Sequence, residues 1–472
     1  MYPRTLHPKP PTLLFLNSRL CSFSVISVRE KHKLTFSIYR IVKVNQAEQP
    51  KNFIESARKQ KTLQRFIMRL QKGNRKHPDK PRPKEFPMLN FDFYNPTKIL
   101  FGKGRIADLA KVVPSDARVL LLYGGGSVKQ NGVLDEVNAG LANRSFHEFS
   151  GIEPNPSYET LMQAVELVRR ENIDFLLAIG GGSVIDGAKF VAAAAQFEGD
   201  PWSILEKRGT NITGALPFGT VLTLPATGSE MNSGSVVTRK SLKAKMAFSN
   251  THCFPKFSIL DPTKTFTLPT RQIGNGVVDA FAHVMEQYMT YPADAPVQDR
   301  FAEGILQTLI EEGPKALSDP QNYDVRANIM WCATLALNGL IGAGVPQDWA
   351  THMVGHELTA LYGLDHAQTL AIIFPSMLKI RKESKRAKLL QYAARVWHLT
   401  SGDEDIRIDA AIEKTQRFFE QMGVKTRLTD YGIQSENIET VLSQLDSHRM
   451  TMLGERRDVT LEVSRKVLEA SL

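Results

Sequence analysis

Apolar positions along the chain fall into two textures. Between residues 88 and 269, short unbroken apolar runs end in glycines or small polar residues and alternate with stretches at helical spacing. "ARVLLLYGGGS" (117–127), "DFLLAIGGGS" (174–183) and "GTVLTLPATGSE" (219–230) read as strands entering turns. "FHEFSGIEPNP" (146–156) reads as a strand closing on a proline-bounded loop. A run that is apolar throughout suits a strand covered on both faces. "YETLMQAVELVRRENI" (158–173) and "VIDGAKFVAAAAQ" (184–196) carry the helical period between them. Strand and helix in alternation predict a parallel sheet with helices on both faces. After "FSILDP" (257–262) strand signals almost vanish, and helical periodicity broken by short turns runs to the end. The expected fold is an α/β domain with a parallel sheet at 88–269, followed by an all-helical domain at 270–472.

Charge changes the picture of what precedes residue 88. The chain carries 59 Lys and Arg against 49 Asp and Glu, but residues 1–87 alone hold 20 against 5, leaving 39 against 44 for the rest. The body therefore has no net electrostatic reason to bind nucleic acid. The basic extension, 1–87, reads as the product of a translation start placed upstream of Met88. A targeting leader and a nucleic-acid-binding tail are the two other readings. Under any of them it is expected to be disordered. No apolar run is long enough to span a bilayer. Cys21, Cys253 and Cys332 form no C-x-x-C pair, which argues against a thiolate zinc site and suits a reducing, cytoplasmic compartment.

Two features carry chemistry. "IGGGSVIDGAK" (179–189) sets three glycines between strand and helix, where the backbone can approach a pyrophosphate and the helix start offers free N–H groups. The G-x-G-x-x-G fingerprint is absent, and Asp186 rather than glycine stands in the first turns of that helix. A second such turn, Gly124–Ser127, follows the preceding apolar run, and two loops after adjacent strands favour a dinucleotide. Further on, "GVVDAFAHVMEQY" (276–288) puts Asp279 and His283 one helical turn apart among apolar neighbours. Buried, such a pair must be matched or bound to a cation. "HMVGHELTALYGLDH" (352–366) holds His352 and His356 at the same spacing. Gly363 offers a helix stop, and Asp365 with Gln368 a capping box ahead of His366. Any one of these histidines could be an ordinary core residue; several donors drawn from three elements favour a divalent metal.

These stretches, together with "GIEPNP" (151–156) and "LPATGSE" (224–230), resemble the iron-containing alcohol dehydrogenase family, nearest its bacterial NADPH-dependent aldehyde reductase, butanol dehydrogenase-like branch. The resemblance covers Met88 to Leu472. It implies a dinucleotide-binding α/β domain followed by a helical metal-binding domain. Asp279, His283, His352 and His366 match the metal ligands, and His356 a histidine beside the metal that is not a ligand. Gly181, Gly182 and Ser183 match the pyrophosphate loop. Thr223, Thr227 and Ser229 match positions beside the cofactor's phosphate and nicotinamide ribose, Lys245 a lysine reaching the cofactor, and Asn155 the loop over the adenine side. Asp186 is counted with them. Where NAD-preferring members carry an aspartate, this chain has Gly125, flanked by Gly124 and Gly126. A 2′-phosphate is then not repelled, and Ser127 and Lys129 stand where they could contact it.

The implied protein is a metal-dependent oxidoreductase that reduces aldehydes to alcohols, and the reverse, with NADP(H) and one Fe2+ or Zn2+. A small aldehyde or alcohol is the expected partner, with neither nucleic acid nor membrane, in a homodimer. His356 is the expected catalytic proton donor. The alternative is a glycerol-dehydrogenase-like polyol oxidoreductase, against which Phe248, Leu268 and "IGAGVP" (341–346) suggest an apolar pocket. A remoter one is a nucleic-acid or membrane-surface binder acting through the extension.

Overall fold

The computed structural model describes residues 87–472 and, within the extension, the backbone of three strands. Those strands, β1 (Leu13–Ser18), β2 (Cys21–Glu30) and β3 (Lys33–Arg40), pair as an antiparallel meander. The sequence reading expects no regular structure there, yet the runs "VISV" and "LTFSIY" are rich in β-branched and aromatic residues, which suit a pleated backbone. The other residues of 1–86 lie outside the described residues, and with them most of that expectation.

Residues Lys84–Leu472 form one compact unit. Its sheet is built from β4 (Lys98–Phe101), β5 (Arg118–Tyr123), β6 (Ser145–Phe149), β7 (Phe175–Gly181), β8 (Phe218–Leu224) and β11 (Phe257–Leu260). All six run parallel, in the order β4-β11-β8-β7-β5-β6. On β5, Leu120 and Leu122 pack under α2 (Tyr158–Arg170) and α3 (Gly182–Ala195), while Val119, Leu121 and Tyr123 pack on the other face with α1 (Val133–Leu141). This two-sided burial explains the continuous apolar runs. A hairpin, β9 (Gly234–Arg239) with β10 (Ala244–Ser249), lies outside this sheet.

Strand order also locates the ligand-binding edge. From β5 the chain moves outward to β6, then returns to the other side of β5 as β7. The connections after β5 and β7 therefore leave in opposite directions and open a crevice beyond the strand ends. Both glycine turns, Gly124–Gly126 and Gly180–Gly182, lie there.

From Thr270 onward helices dominate. α4 (Thr270–Tyr288) is buried along almost its whole length and packs against α5 (Pro296–Ser318), α6 (Tyr323–Ala336) and α8 (His366–Ile380). α7 (Ala350–Tyr362) lies against α8. It stops where Gly363, at φ 70°, donates its N–H to the Thr359 carbonyl. Asp365 and Gln368 form the capping box that starts α8. After α9 (Arg386–Arg395), α10 (Glu404–Gln421) and α11 (Ile438–Ser447), a two-residue strand pair, β12 (Met452–Leu453) with β13 (Val459–Thr460), precedes α12 (Leu461–Ala470). Gly276 of α4 is where the helical half meets the sheet: a Cβ there would sit 2.5 Å from the Pro225 carbonyl, in the turn after β8.

Candidate metal centre and cofactor crevice

From Gly276 to Tyr288 every residue of α4 is buried, so the polar residues in that stretch face protein rather than water. Asp279 and His283 point to the start of α7 and α8, from which His352 and His366 arrive. One donor atom from each of the four lies within 4.8 Å of all the others. His283 Nδ1 is 3.2 Å from Asp279 Oδ1, and His366 Nε2 is 3.7 Å from the same oxygen. Ring centroids of His283 and His352 are 4.8 Å apart, those of His352 and His366 5.1 Å.

Asp279 Oδ1, His283 Nδ1, His352 Nε2 and His366 Nδ1 are all buried without a hydrogen-bond partner. Each such orphan costs about 1–3 kcal/mol. Orphaned atoms on Asp279, His283 and His352, with His366 Nε2 turned toward Asp279 Oδ1, make a donor set suited to a divalent cation. Burial also prepares the donors: it lowers His283 to about 4 and His352 to about 3, so their imidazoles are neutral with lone pairs available. His366 is likewise pushed well down by burial. Burial raises Asp279, a carboxylate that needs a cation to stay charged. Imidazole and carboxylate donors suit Fe2+ or Zn2+ and discriminate poorly between them.

His356 lies one turn beyond His352 and outside this set. Its ring centroid is 5.4 Å from that of His366 and 6.4 Å from that of His352. Burial holds it well below the usual imidazole range, so it is neutral in the folded protein. As a proton donor it must therefore act from its neutral N–H.

At the crevice, a Cβ on Gly182 would collide with the Thr227 hydroxyl, so the turn after β7 passes close to the turn after β8. Thr223 lies at the end of β8, and the Thr227 hydroxyl accepts the Ser229 N–H at 3.2 Å. Ser183, Asn155 and Lys245 come together. The Asn155 N–H donates to Ser183 Oγ at 3.2 Å, and Lys245 Nζ donates to Asn155 Oδ1 at 2.8 Å. Three segments distant in sequence thus converge at the glycine turn after β7. Burial brings Lys245 down to about 8, opposed by the field of Asp279.

Other expected residues are placed differently. Asp186 and Ser229 are engaged with one another, Ser229 Oγ donating to Asp186 Oδ1 at 2.6 Å, while Asp186 Oδ2 accepts the Val236 N–H at 2.9 Å. Lys189 Nζ donates to Ser229 Oγ and to the Gly234 carbonyl. These groups fasten the β9–β10 hairpin, and so position Lys245. Lys129 pairs with Glu148 at 3.1 Å and lies over the Tyr123 ring. Glu148 also accepts the Tyr123 hydroxyl at 2.5 Å. Gly125 is open, since a Cβ there would meet nothing within 4 Å. Phe248 is core, packed on Phe190, rather than a pocket wall.

Two residues at the site escape sequence reasoning. Glu148 is set beside Lys129 by the β5–β6 register, a long-range pairing with no local signature. Trp349 adopts φ 64°, rare for a bulky residue, and its ring stands edge-on to His352 with centroids 5.0 Å apart. Nothing in the sequence marks a tryptophan for that conformation.

A parallel-sheet crevice suited to a dinucleotide, next to a His3Asp donor set, defines a metal-dependent oxidoreductase. The chain belongs to the iron-containing alcohol dehydrogenase family: it matches "Iron-containing alcohol dehydrogenase" over residues 96–262 and "Fe-containing alcohol dehydrogenase family, C-terminal" over 274–469. It is 62% identical over 386 residues to the NADPH-dependent aldehyde reductase YqhD of Escherichia coli, covering 81% of this chain and 100% of that protein. To the probable NADH-dependent butanol dehydrogenase 1 of Bacillus subtilis it is 42% identical, covering 82% and 100%. The crystal structure of E. coli YqhD superposes with a TM-score of 0.82 at 60% identity, covering 82% of this chain and 100% of that one. That of NADH-dependent butanol dehydrogenase A from Thermotoga maritima gives 0.78 at 35% identity, with the same coverage.

Proposed function

We propose that this protein is an NADPH-dependent aldehyde reductase, working in the cytoplasm as a homodimer. It reduces small aldehydes to alcohols and runs in reverse on the alcohols. Residues 88–269 would form the dinucleotide domain and 270–472 the metal domain, with 1–87 outside both. The observation that carries the reading is the cluster of Asp279, His283, His352 and His366 in the helical half, each offering a donor atom within 4.8 Å of the others. Similarity to the E. coli aldehyde reductase supports the choice of substrate and cofactor.

Asp279, His283, His352 and His366 would hold the metal, Fe2+ or Zn2+. The bound cation supplies Lewis acidity toward a carbonyl oxygen, and NADPH supplies hydride. The protein's share is to bind, orient and protonate. Gly124–Ser127 and Gly181–Ser183 offer backbone N–H groups to the dinucleotide phosphates at the strand ends. Lys245, held by Asn155, adds a positive charge on the same side. Burial around His352 and His356 keeps water scarce, so charge at the reacting oxygen is strongly felt. His356 would relay a proton to the product oxygen, its neutral ring taking one from solvent at one nitrogen as it gives one from the other.

The test is purification, metal analysis and an absorbance assay of NADPH consumption over an aldehyde panel, with NADH in parallel. His352→Ala should lose the metal and turnover together. Retention of both would refute the ligand assignment.

A further inference from the structure

Beyond the four donors, α4 presents a third polar residue on the same face, Glu286, seven positions after Asp279 and three after His283. Its side chain is buried, and its Oε1 lies 3.0 Å from both the backbone N and the ring Nδ1 of His352. One carboxylate oxygen thus serves the first turn of α7 and the imidazole of a proposed ligand. An acceptor at Nδ1 draws the ring proton there and leaves the lone pair on Nε2, the His352 atom that has no partner in the protein.

What holds Glu286 and the start of α7 in register is a second buried cluster. Asp348, two residues ahead of α7, donates its N–H to the Glu286 carbonyl at 2.9 Å and accepts the Ala350 N–H on Oδ1 at 2.9 Å. Its other oxygen binds Lys385 Nζ. Lys385 also donates to Glu455 Oε1 and Oε2, at 3.1 and 3.0 Å, and to the Met289 carbonyl, just past the end of α4, at 2.7 Å. Glu455 lies in the turn between β12 and β13, and that turn is pinned a second time by a two-oxygen contact from Arg381 to Asp458 at 2.7 Å. The C-terminal hairpin is thereby tied to the end of α4 and the beginning of α7, which carry Asp279, His283 and His352.

We propose that Glu286 is a positioning residue that fixes the tautomer and orientation of His352 for the metal, and that Lys385, Asp348 and Glu455 lock this arrangement from the C-terminal hairpin. The inference rests on the metal-site reading above. Lys385 cannot lose a partner cheaply, because a buried ammonium left with too few acceptors is strongly destabilising. An acceptor at a ligand histidine's second nitrogen commonly changes metal affinity 10- to 100-fold.

The test measures Zn2+ affinity of the full chain by competition with a chromophoric chelator, with circular dichroism of the metal-free protein as the folding control. Glu286→Leu, similar in size but without an acceptor, should bind Zn2+ about 10- to 100-fold more weakly. Glu286→Gln, whose amide oxygen still accepts from Nδ1–H, should stay close to wild type. Glu286→Asp keeps the charge but withdraws the oxygen, so it should share the loss, and it stands in should the leucine variant not fold. Lys385→Met should release Zn2+ faster while binding NADPH, followed by fluorescence, as wild type does. Folded Glu286→Leu or Glu286→Asp protein with wild-type Zn2+ affinity overturns the proposal. Wild-type protein that takes up no Zn2+, or a His352→Ala variant that binds it undiminished, refutes the metal-site reading itself.

Discussion

A Cβ at Gly125 would meet nothing within 4 Å, so the backbone there leaves room for a side chain to begin. Gly125→Asp should therefore raise the KM for NADPH tenfold or more, about 1.4 kcal/mol, and spare NADH, as initial rates with each cofactor will show. Lys129, expected to meet the 2′-phosphate, pairs with Glu148 at 3.1 Å. Lys245 gives a pH dependence. Burial lowers it to about 8; below that value its ammonium attracts the dinucleotide phosphates, and as pH rises through it the attraction is lost. NADPH affinity, followed by fluorescence, should fall across that window in the wild type, and Lys245→Met should bind weakly with the slope gone. The clustering of Asp279, His283, His352 and His366 was legible because helical spacing set them on common faces and apolar neighbours announced burial. Glu286 obeys the same rule, at seven residues from Asp279, but its partner His352 lies on another helix and leaves no local sign in the sequence.

At the level of elements, β5, β7 and β8 were legible as runs apolar throughout, a pattern that two-sided burial imposes. β9 and β10 were not. Their residues are mixed in polarity, and their place is fixed by Asp186 and Lys189, which reach them from more than forty residues away in sequence. β4 is a four-residue edge strand, too short to carry a period. The close passage of α4 over the turn after β8 is equally invisible locally, yet testable. Gly276→Ala would press a methyl against the Pro225 carbonyl, and backbone on both sides leaves little room to yield. A loss of about 1–3 kcal/mol is expected, seen calorimetrically as a Tm lower by about 1–4 °C. Weaker NADPH binding should accompany it, because the displaced turn leads to Thr227.

For the whole molecule, the composition misleads until it is divided. The net charge of +10 belongs to the extension, and the family match begins only at residue 96. Residues Lys84–Leu472 form a compact unit of their own, in which Leu89 donates its N–H to the Gly344 carbonyl at 2.8 Å. A chain begun at Met88 should keep the Tm, metal content and kcat/KM of the full chain; a clear drop in any of them would give the extension a part in the enzyme. No helix among the described residues is long and apolar enough to cross a membrane.

All four proposed metal donors come from the helical half, whereas the glycine turns and Lys245 come from the α/β half. Loss of the ion and loss of the coenzyme should then be separable events. A molecule stripped by a chelator would go on sequestering reduced nucleotide without turning it over, and restoring the metal would revive it with no need to refold.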